Sequence, residues 1–208
     1  MDLKTSIKSM GIRFWIPIFI NDILIPLAIL YIKRVGNYDN LEQGINTLTQ
    51  MFTPFLASFW IFLQLSKYVD EDGNEIFFIN ERVKVYEVIK LYVFYIATNT
   101  VFFLWYCRMG QNFFLEWIHI VIISFLFVAA SYFFVFLFYS ISLAIIPLFF
   151  YLIASIIGLN ETLSQISYYE VFGASIKSLQ NRYSYFAIAS LVFLISGMII
   201  NKYREKYR

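Results

Sequence analysis

Few residues in this chain could do chemistry, and most of them sit in apolar surroundings. Asn21 and Asp22 lie within an apolar run from about Ile12 to Ile32. A carboxylate there is costly in hydrocarbon unless it meets a partner or water, so the pair is a candidate intramembrane polar site. Two readings stay open for Asp22. It lines a substrate path or bridges two helices, or the chain turns near Asn21 and Asp22 caps a helix close to the interface. Glu116 and His119 form Glu-x-x-His, which puts two metal-ligand types on one helical turn. Zinc needs three or four ligands, and His119 is the only histidine and Cys107 the only cysteine. A packing or interfacial role is therefore expected for His119. The lone cysteine excludes an intrachain disulfide. Gly173-Ala174-Ser175 could present a nucleophile, but a serine needs a base, and the single histidine precedes it on another segment. No Gly-x-x-x-x-Gly-Lys-Ser/Thr loop is present, so the chain does not bind ATP as a P-loop protein. No catalytic residues are assigned, and the chain is expected not to be an enzyme.

The most charged stretch runs from Lys67 to Lys90. Ile76, Ile79, Val83 and Tyr86 recur at helical spacing, with Glu81, Arg82 and Lys84 elsewhere around that helix. Phe77 and Phe78 fall off the apolar stripe. If the stripe lies on a membrane, the two aromatics remain available, ringed by charges, which is the composition of a docking surface.

The elements that must carry these residues are membrane helices. Of 208 residues 60% are hydrophobic and only 14% charged, with 24 Phe and 16 Tyr. A soluble domain has nearer a quarter charged, and too few polar residues exist here to cover one. The apolar runs predict six spans, at about Ile12–Ile32, Ile45–Ser66, Leu91–Cys107, Trp117–Phe138, Ser142–Ile157 and Tyr185–Ile200. The first run is long enough to span, so it is not read as a cleavable signal peptide. Met1–Met10 places Leu3, Ile7 and Met10 on one face and Lys4 and Lys8 opposite, a short amphipathic helix suited to an interface. Eleven Lys and Arg fall in the N-terminus, the 67–90 loop and the C-terminal tail, against five on the other side. The positive-inside rule then puts both termini and that loop in the cytoplasm. Residues 1–208 are read as a single transmembrane domain in a cell (plasma) membrane. Heavy use of Ile, Lys, Asn, Phe and Tyr hints at a low-GC bacterium. Nothing suggests nucleic-acid binding.

This layout resembles the permease subunit of type-two ABC transporters, the ABC-2 exporter family, over essentially the full chain. Met1–Met10 resembles the family's interfacial elbow helix, and Pro26 a proline common in its first span. Glu71-Asp72-Gly73-Asn74-Glu75 resembles the acidic start of its coupling helix between spans two and three. Lys90 resembles the lysine that often opens span three, and Gly158–Arg182 its short external helices. Where the family often has a Pro-Ile/Val-Ser turn, this chain has Asn80-Glu81-Arg82.

The resemblance implies an all-α, six-span permease with both termini inside. ATP and Mg would be held by a separate cytoplasmic ATP-binding subunit, with no cofactor in this chain. Glu71, Gly73, Glu75, Phe77, Phe78, Arg82 and Lys84 would couple to that subunit. A second permease chain, identical or related, would complete the path. The cargo would be amphipathic, a peptide or drug-like compound. The alternatives are the substrate-binding membrane subunit of a vitamin importer, or a non-transport immunity or scaffold protein.

Overall fold

A computed structural model describes residues 3–35, 38–69, 81–108, 113–157, 166–170 and 173–206. The described residues are helical apart from short connections, and no strand occurs among them. In order they form α1 (Leu3–Met10), a 3-10 turn (Gly11–Phe14), α2 (Trp15–Phe19), a π-turn (Ile20–Leu24) and α3 (Ile25–Val35). Then come α4 (Tyr38–Val69), α5 (Glu81–Cys107), α6 (Phe113–Phe138), α7 (Ile141–Ile157), the single turn α8 (Ile176–Ser178), a second π-turn (Leu179–Tyr183) and α9 (Ser184–Lys206).

Five helices are long and apolar enough to cross a membrane: Ile7–Val35, Gln43–Val69, Lys84–Cys107, Phe113–Phe138 and Ile176–Arg204. The chain is an all-helical, membrane-embedded protein. α7 has 17 residues, about 26 Å at 1.5 Å per residue, a little less than the hydrocarbon thickness of about 30 Å. Apolar side chains cover the outside, as lipid requires. Val93, Val101 and Leu104 on α5 and Ile188, Leu191 and Val192 on α9 are all more than half exposed.

Polar groups are turned inward. On α4, Asn46, Thr49, Gln50 and Thr53 repeat at spacings of three and four and are all buried, with Gln64 about three turns further along the same face. α6 is the hub, packing against α4, α5, α7 and α9. Small residues at Ser124, Ala129, Ala130 and Ser131 are buried on it and let neighbours approach closely. Gly197 shows how close: a Cβ there would lie 2.6 Å from Tyr132 Cδ1 and 3.1 Å from Phe133 Cα.

The helices differ from the sequence expectation in three places. α4 begins at Tyr38, not near Ile45, and α5 begins at Glu81, ten residues before Leu91. The end of the charged stretch is thus the first turns of a spanning helix, because its charges find partners inside the bundle. Near Asn21 the chain does not turn. The helix continues through the π-turn at Ile20–Leu24, so Asp22 is not an N-cap. The amphipathic α1 is confirmed as a helix, and Gly11, whose φ of +58° suits glycine, sets it off from the turns that follow.

Candidate functional site

Three polar clusters lie inside the bundle, one near mid-depth and one at each end. The central cluster joins the first span to α4 and α5. Asn21 is buried, and its Nδ2 donates to Tyr95 Oη at 2.5 Å. Thr53 Oγ1 donates to Asn21 Oδ1 at 3.3 Å, and Tyr95 Oη donates to the Thr53 carbonyl at 2.5 Å. Asn99 Nδ2 caps the Tyr95 carbonyl at 2.8 Å. The π-turn supplies the local reason: one extra residue per turn swings Asn21 toward α4 and α5, and such turns often mark functional positions. Asp22 follows directly. Its Oδ1 is buried with no hydrogen-bond partner among the described residues, and it lies within electrostatic reach of Tyr95 and Tyr106. An unpaired acceptor at this depth can receive a proton, a cation or a donor group on a cargo.

At one end, α4, α5, α6 and α9 meet. Glu87 is buried, and its Oε2 accepts from Gln64 Nε2 at 2.6 Å and Tyr68 Oη at 2.9 Å. Lys84, 1% exposed, donates to Asn201 Oδ1 at 3.3 Å. Its ammonium also sits 5.3 Å from the Tyr68 ring centre and 5.6 Å from that of Phe136. Tyr139 Oη reaches the Tyr68 carbonyl at 3.2 Å, Arg204 Nη2 the Leu137 carbonyl at 2.7 Å, and Lys67 bonds Ser9 of α1. The last turn of α4 and the first turns of α5, which bracket residues 70–80, are thereby fastened to each other and to α9.

At the opposite end, residues 166–170 and 173–175 pack against the bundle. Gln50 pairs with the Glu170 backbone like a strand partner: its Nε2 donates to the carbonyl at 3.0 Å and its Oε1 accepts from the amide at 2.8 Å. Glu170 also pairs with Arg182 at 3.3 Å. Glu116 Oε2 accepts from Ala174 N at 3.0 Å, and Gly173, at φ +78°, lets the backbone pass where a Cβ would be 2.7 Å from Asn46 Nδ2. Ser167 Oγ donates to the Ser155 carbonyl at 2.8 Å, fixing the end of α7 here.

His119 is fully buried and has the packing role expected of it. It stacks on Tyr183 with ring centres 4.3 Å apart, and Glu116 lies 3.4 Å from its Nδ1. No group of three or more His, Cys, Asp or Glu side chains able to hold a metal occurs among the described residues. Ser175 is a helix N-cap: its Oγ accepts from Ser178 N at 3.1 Å. That use, and no contact with His119, explains the Gly-Ala-Ser sequence.

The candidate coupling residues fare unevenly. Glu71, Gly73, Glu75, Phe77 and Phe78 lie outside the described residues, as does the side chain of Arg82. Lys84 departs from the expected docking surface, because Asn201 and two aromatic rings hold it inside the bundle. Sequence reasoning missed the polar face of α4, although its spacing of three and four was legible, and missed Glu87 and Asn201 as internal groups. No family model matches the chain, and no curated protein or solved structure is significantly similar to it.

Proposed function

We propose that this chain is the membrane subunit of an ABC-type exporter that moves an amphipathic peptide or drug-like cargo. A separate cytoplasmic ATP-binding subunit hydrolyses ATP, and a second permease chain, identical or related, closes the path. The observation that carries this reading is the fastening of α4 and α5 around the charged loop. A push on residues 70–80 reaches α9 through Lys84 and Asn201, and α4 through Glu87, Gln64 and Tyr68. Rigid roots of this kind let a loop act as a lever between two positions of a bundle.

Three further features support it. α1 is set off at Gly11 from the turns that follow, as an interfacial elbow would be. Asp22, whose Oδ1 has no hydrogen-bond partner among the described residues, and its neighbours offer a polar station at mid-depth. α7 runs from beside Tyr139 to Ile157, with the Ser155 carbonyl held by Ser167, and we read it as a sixth crossing. Six crossings return the C-terminus to the side of the N-terminus, where the basic loop and tails place the cytoplasm of a bacterial cell membrane.

The test addresses the loop. Phe77→Ala with Phe78→Ala removes two anchors, each worth about 2–4 kcal/mol in a well-packed interface. Even one such loss is roughly 30- to 700-fold in affinity at about 1.4 kcal/mol per decade. Pull-down of the chain from its native membranes in mild detergent should lose the ATP-binding subunit, and export should stop. Full retention of the ATPase with continued export would remove the loop as the coupling element.

A further inference from the structure

α7 and α9 both pack on α6 but do not pack on each other along their lengths. Between them lies a groove of about 310 Å³. Phe127 and Ala130 of α6 form its floor, Leu148 of α7 and Ala189 and Phe193 of α9 its walls, and Ile166 closes one end. The small side chains of Ala130 and Ala189 make the room. The volume is about ten times the ~30 Å³ that one water takes in the liquid, which suits a run of methylenes of similar size. Water is a poor occupant, because an apolar cavity without polar partners stays dry. The one hydroxyl on the lining, Tyr151 Oη, is already engaged with the Ile166 carbonyl at 3.0 Å.

The rims say what reaches the groove. Ile166 of the lining is exposed, and so are Phe150 of α7 and Val192 of α9, each one turn from the lining residues Pro147 and Ala189, within helices that hydrocarbon surrounds. The groove is therefore continuous with the acyl region of the bilayer. A helix about 10 Å across would fill so small a volume within a single turn, whereas an unbranched acyl chain matches it over a run of methylenes.

We propose that this groove is a lipid site that holds one acyl chain of a bilayer phospholipid against Ala130, between α7 and α9. The site rests on membrane embedding and not on the transporter reading.

The test uses the whole chain reconstituted in phosphatidylcholine vesicles doped with phosphatidylcholine carrying a diazirine midway along one acyl chain. After irradiation, labelled positions are mapped by mass spectrometry of peptides. Label is expected on Phe127 and Ala130, although both are buried by protein, as well as on the outward Val93 and Val101 of α5. Ala189→Leu, which narrows the groove, should abolish the floor label and leave Val93 and Val101 labelled as before. An unlabelled floor in the unaltered protein, with normal label on α5, overturns the site. If Phe150 and Val192 are unlabelled as well, a second copy covers the rims instead. Floor label that persists undiminished in Ala189→Leu also overturns it, because the label then enters by another route.

Discussion

The Asn21–Tyr95 contact allows a quantitative test of the central polar cluster. Tyr95→Phe removes one oxygen from a fully buried ring and leaves the ring in place, so the cavity contribution is small. Two hydrogen bonds go with that oxygen, one from Asn21 Nδ2 and one to the Thr53 carbonyl, each 2.5 Å long. In a water-soluble core, the stranded donor on Asn21 would cost about 1–3 kcal/mol. In a bilayer or micelle, interhelical polar pairs average about 0.6 kcal/mol and reach about 1.7, since the unfolded helices find other partners. The membrane figure governs here. Tyr95→Phe alone should lower stability by about 1–2 kcal/mol. Asn21→Leu replaces the amide with a similar volume that wants no partner, so it relieves the stranded donor. The double variant should then be more stable than the sum of the two single losses predicts, by about 0.5–1.7 kcal/mol. Reversible unfolding of all four proteins in mixed detergent micelles gives that coupling energy. Additivity within about 0.3 kcal/mol, the usual error for independent sites, would refute the claim that these side chains hold three helices together.

Other expectations follow from the same packing. Asp22→Leu should leave stability unchanged or raise it, since Asp22 Oδ1 has no partner among the described residues, while cargo export falls; a loss above about 1 kcal/mol in the same unfolding assay would mean a partner was present. Gly197→Ala forces a methyl group into Tyr132 and the α6 backbone, and overpacking of that kind costs about 1–3 kcal/mol, read as a lower melting temperature in detergent. Glu87→Ala strands Gln64 and Tyr68 and should destabilise by about 1.5–3 kcal/mol, the range for hydrogen bonds to a charged group, while Glu87→Gln retains an acceptor and should lose less. Equal losses for the two Glu87 variants would show that charge, and not hydrogen bonding, is what this position supplies.

Much of the fold was legible in the residues alone. Apolar runs of about twenty residues with few charges have one stable home, because hydrocarbon accepts only backbones that satisfy themselves. That fixed a helical membrane protein, the approximate spans, and the helix at the N-terminus with charge on one face. It also singled out Asn21 and Asp22, since a polar pair inside such a run stands out without any knowledge of neighbours. Whether Asp22 capped a turn or sat within a continuous helix was decided by the π-turn, a backbone choice that depends on how the first span seats against α4 and α5. Lys84 read as part of a charged docking surface, and nothing in the sequence singled out Glu87. Their inward placement depends on Gln64 and Tyr68 from α4 and Asn201 from α9, the last being 117 positions from Lys84. The polar face of α4 had a visible period, but a period shows only that one side differs from the other. What that side meets, Tyr95 near the middle and the Glu170 backbone at one end, is set by which helices surround it. Hydropathy is a sum over neighbours in the chain, whereas these partners are neighbours only in space, and packing alone brought them together.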